Sequence, residues 1–350
     1  MGSGLDKMPV KSAFTKVRGR VSFEFFKDEF EKSVVTHEPH RHTWRGLRVY
    51  ATDGDRYDLP RTVDLLQHDY RGYAFSKTEE TYCPQMYVVH CYDVLGGVTK
   101  EFKYSNKNEE LHSAIEIAKS LESNSITLYD RLFMCKDLIR AHAVSGSYFL
   151  ARCQNGKLAE VRAFFKSAKR NTRFVFEGVE VELVKITHPK TGKAAVYATN
   201  LPRSRFKNRE IADLYALRWE VEGANRDLSH TIKVEQWHSH FLNGILQELY
   251  AALWLINQTR IQMTAMMKAR CTFKSLFFYA KSNFKLILDF VLDSLKDLVA
   301  NRIHRVQRRL TLLLQLSLEQ RQRRSRNSPR QLRRRPKLYK LATTAPRSTK

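Results

Sequence analysis

The chain has 350 residues, 43% of them apolar, and a formal net charge of +25. A length of this order suggests about two domains, and the apolar fraction is that of an ordinary globular core. No run approaches the roughly 18 apolar residues of a membrane span, so a membrane partner is not expected, whereas the charge points to a polyanion, most often nucleic acid.

That charge is unevenly spread. Residues 301–350 hold sixteen Lys and Arg against one acid, Glu319, a local net charge of +15. A basic segment of this kind gives a partner class and no chemistry. The five cysteines (Cys83, Cys91, Cys135, Cys153, Cys271) are odd in number and widely spaced. This suggests reduced thiols in a cytoplasmic protein rather than a disulfide framework or a zinc module. The opening Met1-Gly2-Ser3-Gly4 shows no secretory pattern.

In chain order, Phe23, Phe26 and Phe30 recur at helical spacing. His37-Glu38-Pro39-His40-Arg41-His42 reads as a polar loop. Residues 47–52 read as a strand running into Asp53-Gly54-Asp55, where Asp-Gly signals a turn. Residues 61–84 lack clear periodicity. Residues 85–94 form a strongly apolar strand, Gly96-Gly97 a hairpin turn, and residues 98–104 the returning strand. A helix over 108–121 leads to a short buried strand, 126–129, ending at Asp130-Arg131. A helix over about 133–145 stops at Gly146, and residues 148–153 make a fifth strand. Three strands, helix, strand, helix, strand describe a mixed sheet with flanking helices, the strand order of the ribonuclease-H-like fold. Residues 173–177, 179–187 and 194–199 alternate apolar and polar positions and suggest a small antiparallel β insertion. Long helices are expected over 246–269 and 286–316. Residues 320–350, interrupted by Ser-Pro and Arg-Arg-Arg-Pro, suggest an extended segment ordered by a partner.

Between the insertion and those helices, residues 208–233 read as one long amphipathic helix with Asn208 as N-cap. Ile211, Leu214, Leu217, Val221, Ala224, Leu228 and Ile232 share an apolar face. Tyr215, Arg218, Glu222, Arg226, Ser229 and Lys233 share a polar stripe roughly a quarter-turn away. A carboxylate flanked one turn each way by arginines can hold a cation and a phosphate together. The same stripe also suits a solvated face with ion pairs.

Asp53, Asp130 and Glu222 thus offer two strand ends and a helix that faces them. Carboxylates are the hard oxygen ligands that Mg²⁺ prefers, and two such ions can drive phosphoryl transfer on nucleic acid. Tyr215-x2-Arg218-x3-Glu222 resembles the Tyr-Arg-Glu-Lys signature of DDE transposases of insertion-sequence family four. Asp53-Gly54 followed by Leu59-Pro60, and Tyr129-Asp130-Arg131, resemble its first and second catalytic motifs. Ser328-Pro329-Arg330, leading into Arg333-Arg334-Arg335, resembles the basic close of many members. The likeness spans about residues 8–340. It implies that Asp53, Asp130 and Glu222 bind two Mg²⁺ (or Mn²⁺) ions. It implies phosphate-backbone contacts near the element's end by Tyr215 and Arg218; Arg226, Ser229 and Lys233 on the same stripe, and Arg333, Arg334 and Arg335 in the basic close, are further candidate DNA contacts. It further implies end cleavage and strand transfer, a homodimer in the DNA complex, and a bacterial, nucleoid-associated protein.

Two departures accompany the resemblance. Ser229 stands where the signature has Lys, and only 52 residues precede Asp53, so the N-terminal helical region looks shortened. Both bear on the activity of this copy and not on its class. The expected organisation is an N-terminal helical region over 1–44 and a catalytic core over 45–153 and 207–242. A β insertion over 154–206, C-terminal helices over 243–318 and a basic tail over 319–350 complete it. A ribonuclease-H-like nuclease, or a noncatalytic DNA-binding protein acting through its tail, are the competing readings.

Overall fold

The computed structural model describes residues 16–37, 42–73, 80–81, 83–156, 158–187, 192, 194–268, 280–282, 284–299 and 318–320, with five single positions between 302 and 309. Arg333, Arg334 and Arg335 with the rest of the basic tail beyond Gln320, Cys271, and most of the expected helix beyond Val299 lie outside the described residues. Among the described residues no helix is long and apolar enough to cross a membrane.

The elements are α1 (Phe23–His37), β1 (Arg48–Asp58), α2 (Val63–Gln67), β2 (Gln85–Asp93), β3 (Val98–Ser105), α3 (Glu110–Ser120), β4 (Ser125–Tyr129), α4 (Lys136–Ser145) and β5 (Tyr148–Arg152). They continue with α5 (Ala159–Lys166), β6 (Asn171–Phe176), β7 (Val179–Thr187), β8 (Ala194–Thr199), α6 (Asn208–Ala216), α7 (Trp219–Arg226), a π-helical turn (Asp227–Ile232), α8 (Leu242–Lys268) and α9 (Phe284–Val299). Eight strands form one sheet in the order β3-β2-β1-β4-β5-β8-β7-β6. The first three are antiparallel, and β4 and β5 run parallel to β1. This is the expected ribonuclease-H-like order. The three strands of the β insertion pair antiparallel with one another and hydrogen-bond to β5 through β8, so they extend the same sheet.

Strand alternation distributes the core over both faces. Tyr50, Val89, Tyr129 and Phe149 point to α3 and α4, packing on Ala114, Ile117, Leu138 and Ile139. Val49, Ala51, Ile126 and Leu128 point the other way, onto Ile211, Leu214, Val221 and Ala224 of α6 and α7. All five residues of β4 are buried, as an interior parallel strand covered on both faces requires. At the far end of β1 and β2 a third cluster joins Tyr57, Leu59, Met86 and Val88 to α1, α8 and α9, and Phe30 of α1 is buried there. Each fully buried Leu or Ile contributes about 1.5–3 kcal/mol. Gly146, at φ 67°, supplies the left-handed residue that ends α4.

Several expectations change. Asp53-Gly54 is no turn: β1 runs unbroken to Asp58, paired with β2 throughout. α2 fills the stretch without periodicity, started by Thr62, whose side chain accepts from the Leu65 N–H. α5 was not expected. Residues 208–233 are not one regular helix. Lys207 precedes α6 as its N-cap, and the Glu210 carboxylate reaches back 2.6 Å to the Lys207 N–H. Between α6 and α7 the hydrogen bonds tighten to i→i−3, with Arg218 N–H to Tyr215 O at 3.0 Å and Glu220 N–H to Leu217 O at 3.0 Å. The chain then widens into the π turn and ends at Lys233, in left-handed conformation at φ 59°.

Candidate active site

The site forms where β4 stops and β1 continues. The last pair between them is Thr52↔Tyr129. Asp53 and Asp130 are the next residue on each chain, so both leave the buried part of the sheet side by side. By the alternation above, Asp53 points to the face covered by α7. Burial pushes its carboxyl up to about 7. The positive charge of Arg218 opposes this, and the negative charges of Glu222, Glu110 and Asp130 reinforce it. Groups from β1, α3, the end of β4 and the α6–α7 region therefore share one electrostatic site.

Glu222 sits in the first turn of α7. Its Oε1 accepts from Arg218 Nη2 at 2.5 Å, one turn back. Arg218 is only 5% exposed, and its Nε, buried, has no hydrogen-bond partner among the described residues. An orphaned buried guanidinium donor is costly and suits a ligand oxygen. Tyr215 is buried and packs edge-on against Tyr197 of β8, with ring centroids 5.0 Å apart. Burial pushes its hydroxyl up to about 12; the charge of Arg218 works against this and that of Asp130 with it. Tyr215, Arg218 and Glu222 lie on the α6–α7 region, close enough for their charges to act on one another and on the two aspartates.

The rest of the polar stripe diverges. Arg226 and Lys233 are exposed and Ser229 is half-buried. The π turn winds fewer degrees per residue than an α-helix, so Ser229 and Lys233 drift from the Glu222 face. The turn is anchored by an ion pair from Arg260 of α8 to Asp227.

A buried polar chain holds α7 to the sheet. His90, opposite Asp53 in the β1–β2 register, shares a 2.8 Å hydrogen bond between its Nδ1 and Asn225 Oδ1, and a 2.5 Å one between its Nε2 and Thr99 Oγ1. Burial lowers the His90 pKa to about 4, so the ring is neutral near pH 7, with Nδ1 donating to Asn225 and Nε2 accepting from Thr99. Asn225 lies three residues beyond Glu222, so this chain fixes the α7 turn that presents it.

The donors suit a hard divalent cation by chemical type, and they already act on one another. Their arrangement differs from a closed metal shell: Glu222 is turned to Arg218, and among the described residues no three His, Cys, Asp or Glu converge to hold an ion.

Three residues near the site escaped the sequence reading. Glu110, in the first turn of α3, looks like an ordinary helix-dipole partner. Arg152 ends β5, is exposed, and acts on both Tyr197 and Tyr215. Trp219, 55% exposed, lies beside Arg218, whose guanidinium carbon is 5.0 Å from its ring centroid.

Comparison with known proteins identifies the family of the chain. The family model for the transposase DDE domain matches residues 44–258. The chain is 25% identical over 278 residues to the transposase InsG for insertion sequence element IS4 of Escherichia coli K12, covering 73% of this chain and 61% of that protein. It is 27% identical over 137 residues to InsZ of the same organism, covering 37% of this chain and 44% of that one. The chain therefore spans about three fifths of the length of InsG. A solved piggyBac transposase synaptic complex with hairpin DNA aligns at a TM-score of 0.49 and 13% identity, covering 76% of this chain and 57% of that one.

Proposed function

The chain belongs to the DDE-domain transposase family, and from that premise we propose that it cleaves DNA at the ends of an insertion sequence and transfers the freed strands into target DNA. The observation that carries this is the setting of Asp53, a half-buried carboxyl at the end of the β1–β4 pairing that feels Glu222, Asp130 and Arg218 at once. In this reading Asp53, Asp130 and Glu222 hold two Mg²⁺ or Mn²⁺ ions. When bound, such ions make an attacking oxygen more nucleophilic and neutralise charge on the leaving one.

The chain's own residues do the remainder. Arg218, whose Nε lacks a partner, receives a phosphate oxygen beside Glu222. Tyr215 sets one wall of the site, held by Tyr197. Arg226 and Lys233, both exposed, track the DNA backbone beyond the metal site, with Ser229 between them. Arg333, Arg334 and Arg335 add sequence-independent affinity. In this reading residues 45–153 and 207–242 are the catalytic core, 154–206 the β insertion and 319–350 the basic tail, with 1–44 and 243–318 as the N-terminal and C-terminal regions. The active assembly is a homodimer on DNA, in the bacterial cytoplasm at the nucleoid.

The test is incubation of the protein with Mg²⁺ or Mn²⁺ and DNA bearing the terminal repeats that flank the gene. Nicks at the repeat ends and joined products are expected. Hydrolysis without joining would indicate a nuclease instead. Binding without cleavage, lost on trimming residues 320–350, would indicate a DNA-binding module.

A further inference from the structure

Glu110 is a carboxylate that neither the motif pattern nor the family match assigns to the site. It belongs to α3, on the opposite face of the sheet from α7. It reaches the site where the sheet has a gap. β1 runs six residues past its last pair with β4 and is flanked there by β2 alone. Gly54 is in that stretch, and the Glu110 carboxylate lies directly against it, with the Gly54 backbone N–H favouring its charged form. The approach is so close that a Cβ at Gly54 would lie 2.6 Å from Glu110 Cγ and overlap the carboxylate. Gly54 thus leaves room for the carboxylate to lie against the strand, and it has none of the positive φ of a turn glycine. Burial raises the pKa of Glu110, and the Gly54 N–H opposes that rise; the charges of Asp130 and Asp55 add to it.

We propose that Glu110 is a positioning residue of the catalytic centre: its carboxylate clamps β1 at Gly54, fixing the direction of the adjacent Asp53 carboxylate, and adds a fourth negative charge to the field that receives the divalent ions. The clamp substitutes for the missing strand neighbour. A strand with an unpaired edge is held less firmly than one paired on both sides, and a side chain one residue away moves with it. A displacement of the order of 1 Å at a ligand is enough to reduce turnover about a hundredfold. This inference rests on the proposed metal-dependent reaction.

The experiment compares wild type, Glu110→Ala, Glu110→Gln and Gly54→Ala by Mn²⁺ binding, followed by electron paramagnetic resonance of free Mn²⁺, and by DNA cleavage at saturating Mn²⁺. Circular dichroism verifies that each variant is folded. Glu110→Ala is expected to weaken Mn²⁺ binding and slow cleavage by about ten- to a hundredfold, the range for a group that orients a metal ligand. Glu110→Gln keeps an acceptor for the Gly54 N–H, so it recovers much of the turnover but not the Mn²⁺ affinity. Gly54→Ala keeps the charge and spoils the clamp, so turnover falls more than affinity. Folded Glu110→Ala that binds Mn²⁺ and cleaves like wild type overturns the proposal. So does a Gln variant as impaired in turnover as the Ala variant. Wild type that binds no Mn²⁺ sinks both this inference and the metal-dependent reading; wild-type binding that no Glu110 substitution alters sinks this inference alone.

Discussion

Arg218 and Glu222 face each other one helical turn apart, joined by a 2.5 Å ion pair in which the arginine is 5% exposed. The carboxylate assigned to metal binding is therefore engaged by a cation of its own helix before any ion arrives. Glu222→Ala leaves the buried guanidinium unpaired and is expected to lower stability by about 1–3 kcal/mol. Its side chain is one-third exposed, which keeps the cost below that of a fully buried pair. Urea denaturation measures this; an unchanged midpoint would mean that the pair does not form.

The acid response of stability follows from opposed shifts. Asp53 has its carboxyl at about 7, above the usual carboxylate value near 3.9, so the native state keeps its proton longer than the unfolded chain. Its contribution is present at low pH and is lost as pH rises from about 4 to 7. His90 at about 4 and His142 at about 3 are shifted below the usual value near 6.5, both by burial. Their contributions are present near neutrality and are lost as pH falls from about 6.5 to 4. Each group gives at most about 1.4 kcal/mol per pH unit, so two histidines outweigh one aspartate. Acidification from pH 6.5 to 4.5 is expected to destabilise the protein, and Asp53→Asn to steepen that loss. A shallower acid limb for Asp53→Asn would show that its carboxyl is not raised.

The Thr99–His90–Asn225 chain predicts a structural effect with a catalytic echo. Asn225→Leu removes a buried partner of His90 and is expected to cost about 1–3 kcal/mol. Because Asn225 shares α7 with Glu222, cleavage by the fraction that remains folded should also fall, while DNA binding is kept. Thermal unfolding and single-turnover cleavage, run together, separate these effects.

Arg152 is exposed at the end of β5 and acts on Tyr215, so in the proposed reaction it is a candidate contact for a DNA phosphate. Arg152→Ala is expected to leave stability within about 0.5 kcal/mol of wild type. If it meets one phosphate, the slope of log affinity against log salt falls by about 0.9. Fluorescence anisotropy across a salt series reads this directly.

Much of this was legible in the sequence. The strand order came from apolar runs and turn residues, and the positions of Asp53 and Asp130 at the β1–β4 junction from where those runs stop. What was not legible depended on contacts distant in the chain. Asp53-Gly54 carries turn chemistry, yet β2 pairs along the whole stretch, so the strand continues. The tightening at Leu217–Arg218 and the π turn at Asp227–Ile232 have no Gly or Pro to announce them. The first accompanies the buried Arg218–Glu222 pair, and the second is anchored by Arg260, 33 residues beyond Asp227. Ser229 seemed a seventh-position partner of Glu222 because a uniform helix was assumed. Gly223, a weak helix former, nevertheless lies within α7, with open space where a Cβ would stand.

The central claim is that Asp53, Asp130 and Glu222 act together in metal-dependent DNA cleavage. The most direct measurement is Mg²⁺-dependent single-turnover cleavage of terminal-repeat DNA by wild type, Asp53→Asn, Asp130→Asn and Glu222→Gln, with binding of the same DNA measured in parallel. The account predicts cleavage by wild type, loss of at least about a hundredfold in each variant, and DNA binding retained by all four proteins. Wild-type cleavage that survives any one of the three substitutions would contradict it.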